Sequence, residues 1–136
     1  MRDLVLSAHL IIGLALITFS IVVLLYLDKK PRWLKSLSAA IAALSWALLF
    51  PSGKLYLTFY PVTKTLVKAG SWPWAHSVVM ETKEHWGLLL PVIATVAAAL
   101  VYSGKTKESR KWWILVIVLS ALLGMMGRIV KMGALA

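Results

Sequence analysis

Four long apolar runs constrain the fold of this chain more than any other feature of its sequence. A helix needs roughly 20 residues to cross a hydrocarbon core of about 30 Å, and four stretches approach or exceed that length. They are residues 4–27, 33–50, 86–102 and 112–130. Of the 136 residues, 60% are hydrophobic and 15% are charged, whereas soluble domains keep about a quarter of their residues charged. We therefore predict a single all-α domain, an integral membrane four-helix bundle with up-down-up-down topology.

The basic residues predict which side of the membrane each connection occupies. Two short loops carry a dense set of positive charges, namely Lys29, Lys30, Arg32, Lys35, Lys105, Lys107, Arg110 and Lys111. Because loops rich in Lys and Arg stay in the cytoplasm, we expect both termini on the non-cytoplasmic side of the cell membrane. This topology accounts for the net charge of +10, so we expect the lipid bilayer, and not nucleic acid, as the partner.

The connection between the second and third spans, residues 51–85, is predicted to have structure of its own. Apolar residues recur at helical spacing over residues 61–69, which predicts a short helix lying in the outer interface. Pro73 suits the first turn of a further helix. That helix would run through Glu84 into the third span.

All three histidines fall at the outer end of the predicted bundle. His9 lies within the first span, His85 stands at the outer end of the third span, and His76 lies nine residues before it. Ionisable groups at membrane depth are costly and are therefore candidates for function. In an up-down-up-down bundle the first and third spans lie diagonally opposite. The imidazoles of His9 and His85 could thus point at the bundle axis and hold the iron of a haem b between them.

Other residues would complete such a haem site. Gly13 lies one turn from His9 and leaves room for the edge of the porphyrin. Glu81 shares a helix face with His85 and could accept its second ring proton, which would fix the tautomer. Arg128, near the outer end of the fourth span, could pair with a haem propionate.

Each of these residues also has a structural alternative. His9 could make an interhelical hydrogen bond, His85 could be an interfacial residue, and Arg128 could extend to the interface. His76 is half a turn out of phase with His85 on a continuous helix, so it is the weaker candidate for an iron ligand. It is otherwise expected to face solvent or to cap a helix. Met80 is expected to pack, with axial ligation as the alternative.

Three segments carry a resemblance to known proteins. They are Ser-Ala-His9-Leu-Ile-Ile-Gly13, Glu81-Thr-Lys-Glu84-His85-Trp-Gly87 and Gly124-Met-Met-Gly127-Arg128-Ile-Val-Lys131-Met-Gly133. Together they resemble an uncharacterised family of short four-span prokaryotic membrane domains. More loosely, the layout is similar to the small four-helix b-type cytochromes. That resemblance implies haem between histidines on diagonal helices and electron transfer, often with a quinone.

We therefore expect a b-type haem protein that transfers electrons near the outer membrane face, with quinol as a candidate partner. The alternative is a non-catalytic accessory subunit that contacts other membrane subunits or a second copy of itself, because small residues four apart allow close helix packing. A third hypothesis is a metal-dependent membrane enzyme using His9, His85, Glu81 and Glu84. No HExxH motif supports it, and whether the chain is an enzyme stays open.

Overall fold

The computed structural model describes residues 1–136, and all of its regular structure is helical. Four continuous helical stretches are long and apolar enough to cross a membrane: Arg2–Tyr26, Trp33–Ala69, Ala75–Tyr102 and Thr106–Leu135. They contain helices α1 (Arg2–Tyr26), α2 (Trp33–Ala47), α3 (Leu49–Lys54), α4 (Tyr60–Ala69), α5 (Glu81–Tyr102) and α6 (Thr106–Leu135), and two π-helical segments, π1 (Leu55–Phe59) and π2 (Ala75–Met80). The prediction of an all-α bundle of four apolar helices is confirmed, and its composition suggests a multi-pass protein of the lipid bilayer.

The four stretches pack in a ring. Helix α1 packs against α2 and α6, and α5 packs against the same two helices, so α1 and α5 lie diagonally opposite. Contacts between distant residues show the antiparallel order: Arg110 reaches Asp28 at one end of the bundle, and Ser71 reaches Ala136 at the other. We call these the basic end, which holds loops 27–32 and 103–105, and the termini end, which holds both chain termini.

The two turns at the basic end follow from residues that adopt a left-handed backbone. Lys30 has a φ of 47°, and Pro31 follows it, so α1 cannot continue. Gly104 has a φ of 75°, and the amides of Gly104 and Lys105 donate back to carbonyls in the last turn of α5. This Schellman-type ending suits glycine, which has no Cβ to clash.

The second helical stretch is longer than the predicted second span, 33–50. Pro51 has no N–H to donate to the carbonyl of Ala47, and the helix is interrupted at Leu48 without ending there. π1 then leads directly into α4. The predicted short helix 61–69 is therefore present as α4, but it continues the second stretch and packs against α6.

The half of the bundle toward the basic end has a closely packed core. The buried residues of α1 are Leu16, Ser20 and Val23, and Leu27 just after the helix is also buried. Their spacing of three and four residues places them on one face. They meet a set of buried apolar residues from the other three stretches: Leu34, Ile41, Leu90, Ala94, Ala97, Val101, Trp113, Val116 and Leu119. In lipid, close packing of this kind holds helices together.

A second, smaller core lies at the termini end. It consists of Tyr60, Val67, Ala75, Met80 and Val130. Gly133 is pressed against this core, because a Cβ added to it would lie 2.9 Å from the Cβ of Ala75. The close approach joins the end of α6 to α4 and π2.

Candidate functional site

A cavity of about 440 Å³ lies between the two cores. All four helical stretches contribute to its wall. A volume of this size is typical of sites that bind small molecules. Most of the wall is leucine, isoleucine and glycine, and its polar residues are His9, Ser45, Ser52, Tyr56, Lys83, Glu84 and Ser120.

The cavity exists because the interior rows of the helices change composition along their length. On α1 the buried row that reaches Leu16 continues toward the termini end at Gly13 and His9, at the same spacing of three and four residues. On α5 the corresponding row continues at Gly87 and Lys83. Side chains at such positions face the centre of a bundle. The same interior rows are therefore filled by large side chains toward the basic end and left open toward the termini end. We call these two parts the filled half and the hollow half.

Four glycines show how open the hollow half is. The helical stretches contribute one each to the cavity wall: Gly13, Gly53, Gly87 and Gly124. A Cβ added at any of the four would meet no atom within 4 Å. These glycines therefore leave space for something other than a neighbouring helix, in contrast to the tightly packed Gly133.

Three ionisable side chains line this cavity and leave polar atoms without partners. His9 Nδ1 lies 3.0 Å from Ser52 Oγ in a hydrogen bond, which leaves its Nε2 unbonded within the chain. Glu84 Oε1 is buried and makes no hydrogen bond. Lys83 has no carboxylate within 4.0 Å. Buried polar groups normally find partners, so the unpartnered Oε1 of Glu84 gives this wall unmet hydrogen-bonding capacity.

The two π-helical segments border the cavity. Tyr56 belongs to π1 and Met80 is the last residue of π2, and both line the wall. A π-helical turn is rare and occurs frequently at functional sites. The irregular turns thus bring a phenol and a thioether to the wall where the two cores meet.

His85 does not line the cavity, so the structure separates it from His9. It is exposed, and its Nδ1–H donates to the backbone carbonyl of Glu81 over 2.7 Å. His85 lies two positions before Gly87, which is about 200° around the helix, so it faces away from the wall that Gly87 forms. The predicted pair of axial imidazoles is not brought together, and a haem held by His9 and His85 does not fit this arrangement.

Two further residues of the predicted haem site also lie elsewhere. The carboxylate of Glu81 is 3.6 Å from Nε2 of His76 and does not hold the ring of His85. Arg128 is exposed, makes no ion pair and does not line the cavity. Of the predicted set, only His9 and Gly13 lie on the cavity wall.

His76, expected to face solvent or cap a helix, is buried in a small polar cluster. Its Nδ1 lies 2.8 Å from the hydroxyl of Tyr60, and its Nε2 faces the carboxylate of Glu81. Because an ionised carboxylate only accepts hydrogen bonds, we assign the ring proton to Nε2 and let the phenol donate to Nδ1. The cluster joins α4, π2 and α5. No group of three or more histidine, aspartate and glutamate side chains is placed to hold a metal ion.

The polar cavity residues that the sequence patterns did not predict as site residues are Ser45, Ser52, Tyr56, Lys83 and Ser120. Ser52 and Tyr56 fall in the segment that was expected to lie beyond the second span. The position of Lys83 could have been predicted from helical spacing, because it continues the interior apolar row of α5 through Gly87 at intervals of three and four residues. The signal was therefore present for Lys83 but was hidden by the assumption that a charged residue ends a span.

No protein-family model, no curated protein and no solved structure matches this chain. The resemblances drawn from the three sequence segments therefore stay predictions.

Proposed function

We propose that this protein binds a quinol-class amphiphile, meaning an aromatic ring that bears hydroxyl or carbonyl oxygens and an apolar tail. The observation that carries the proposal is the combination of an apolar cavity wall with unpaired polar groups of both kinds, donor and acceptor. Small-molecule sites typically have this make-up, in which a few polar groups orient a largely apolar ligand.

The surface of the bundle supports entry of such a ligand from the side. Leu10, Leu14 and Leu88 line the cavity and are also 55%, 65% and 62% exposed. They lie on helices that are apolar and long enough to span a membrane. An exposed leucine on such a helix faces lipid, so an apolar tail could leave the cavity past these three residues without contact with water.

The polar groups on the wall match the oxygens of a quinol. Glu84 Oε1 can accept a hydrogen bond from a hydroxyl, and His9 Nε2 can do so in the tautomer whose Nδ1–H donates to Ser52 Oγ. The ammonium of Lys83 can donate to a carbonyl. Within an electron-transfer function, Glu84 and His9 would be the groups adjacent to the hydroxyl protons.

We further propose that the basic end faces the cytoplasm, as the loop charges predict. The cavity then opens to the outer leaflet, and both termini lie on the non-cytoplasmic side. Attachment of a membrane-impermeant label to a cysteine placed near Met1, but not to one placed at Lys105, in intact cells would agree with this orientation. The reverse labelling pattern would exclude it.

Ligand binding is tested with a substitution that fills the cavity. A short-tailed ubiquinone analogue, reduced and oxidised in turn, is titrated into the detergent-solubilised protein while tryptophan fluorescence is followed. We expect Gly13→Leu to weaken binding by about ten-fold or more, because a leucine side chain would occupy the space beside His9. Ala121→Leu, on the exposed face of α6, is the matched control and should bind as the unchanged protein does. Equal affinity of both variants would exclude the cavity as the binding site.

A second candidate function retains the haem with a different pair of ligands. His9 and Met80 both line the cavity, from opposite sides of the bundle, and imidazole with thioether is a known axial pair in cytochromes. Haem would supply one-electron chemistry if bound there. Protein purified from haem-replete cells would then show a Soret band that shifts on reduction and is lost in His9→Ala and Met80→Ala but kept in His85→Ala. A colourless, iron-free preparation would exclude this candidate and leave the first one standing.

A further inference from the structure

A shallow groove at the basic end concentrates positive charge. It has a volume of about 430 Å³ and is lined by Lys107, Glu108, Arg110, Lys111 and Ile114. Three of these five side chains are cationic and one is anionic. The groove lies at the opposite end of the bundle from the candidate ligand cavity, and the two share no residue.

Two of the three cations of this groove have no carboxylate partner. Nη2 of Arg110 donates to both carboxylate oxygens of Asp28, over 3.0 and 3.1 Å, which holds the guanidinium in place and satisfies part of its charge. Neither Lys107 nor Lys111 has a carboxylate within 4.0 Å. Two ammonium groups therefore flank an oriented guanidinium and are free to bind an anion.

An exposed apolar row continues from the groove along the same helix face. Its members are Ile114, Val118, Leu122 and Met125, all exposed. They follow Lys107 and Lys111 at spacings of three and four residues, which places all six on one face of α6. A molecule that extends along this face would meet cations first and apolar side chains afterwards.

We infer that this face of α6 binds an anionic phospholipid. Lys107, Arg110 and Lys111 would contact the phosphate and the anionic head group, and an acyl chain would lie along the apolar row. Basic pockets at the ends of membrane helices recognise anionic lipids in this way. A zwitterionic lipid carries its own ammonium group, which the cationic groove would repel, so the inference distinguishes the two lipid classes.

The test measures lipid retention by native mass spectrometry of the full-length protein in detergent. Phosphatidylglycerol and phosphatidylcholine with identical acyl chains are titrated in parallel. We expect clear preference for phosphatidylglycerol, and we expect Lys107→Gln/Lys111→Gln to weaken its binding by roughly an order of magnitude. Both lysines are exposed, so the double variant should fold normally. Glu108→Gln should instead strengthen phosphatidylglycerol binding, because it removes the only anion from the groove.

The matched control changes the net charge by the same amount at the other end of the protein. Lys68→Gln/Lys131→Gln removes two exposed lysines from the termini end and should keep the preference for phosphatidylglycerol. The inference is overturned if this control loses as much affinity as the groove variant, since net charge alone would then explain binding. It is also overturned if the unchanged protein retains both lipids equally.

Discussion

The two halves of the bundle use the same helices in opposite ways. Toward the basic end, the interior positions carry leucine, valine and tryptophan, and the helices interlock around Trp113 and Leu16. Toward the termini end, the same rows carry His9, Gly13, Gly87 and other small or polar residues around an open space. Packing density is what stabilises helix association in lipid. We therefore attribute the stability of the fold to the filled half and ligand binding to the hollow half.

The strongest test of this division removes the largest buried side chain of the filled half. Trp113 is fully buried, and Trp113→Ala should lower the free energy of unfolding by about 3–5 kcal/mol, because it leaves a large cavity. Thermal unfolding in detergent would measure the loss. Trp86→Ala, at an exposed position, should cost far less. Similar losses for the two variants would show that the filled half is not the main source of stability.

A second test compares two glycines of the same helix. Gly133 is in close contact with Ala75, whereas Gly124 faces the open cavity. Gly133→Leu should therefore lower the free energy of unfolding by about 1–3 kcal/mol through overpacking. Gly124→Leu should leave stability nearly unchanged and weaken ligand binding. If the two substitutions destabilise equally, the cavity is not open in the folded protein.

A smaller loss of stability is expected when the polar cluster of Tyr60, His76 and Glu81 is disrupted. Tyr60→Phe removes the hydroxyl that donates to the buried Nδ1 of His76, and it should cost about 1–2 kcal/mol because the ring nitrogen loses its partner. Tyr102→Phe, at an exposed tyrosine, is the control and should have little effect on the unfolding midpoint. If Tyr60→Phe leaves the unfolding midpoint unchanged, water replaces the phenol hydroxyl in this cluster.

The smallest effect on stability is expected at Gly13. Whether stability rises or falls there tests how open the hollow half is. A Cβ at this position meets nothing within 4 Å, and alanine favours a helix over glycine by roughly 0.5–1 kcal/mol. Gly13→Ala should therefore raise the unfolding midpoint slightly. A lower midpoint would mean that α1 approaches its neighbours more closely there than the open space implies.

The sequence was sufficient for the helical content, the four apolar stretches and the diagonal placement of the first and third of them. It was insufficient for which face of the third stretch points into the bundle. On a regular α-helix His76 and His85 lie half a turn apart, and one of them is indeed buried while the other is exposed. The predicted inward residue was His85, whereas the structure buries His76, which lies in the π-helical segment π2.

The candidate site was predictable only where the helix is regular. His9 and Gly13 lie in a regular helix, and their position on its interior row follows from spacing alone. Ser52 and Tyr56 reach the same cavity because the chain stays helical beyond Pro51. A proline in a helix interior ordinarily breaks the helix, but the interruption at Leu48 places Pro51 in the first turn of α3, where its missing N–H is tolerated.

The second helical stretch, which continues past its interruption at Leu48, is longer than a membrane is thick. Its 37 residues extend over about 55 Å at 1.5 Å per residue. A hydrocarbon core is only about 30 Å thick, so it can cover little more than half of this stretch. The cavity is lined by the middle of the stretch, from Ser45 to Tyr56. A bilayer whose core covers the stretch from Trp33 to the cavity therefore leaves α4 beyond it.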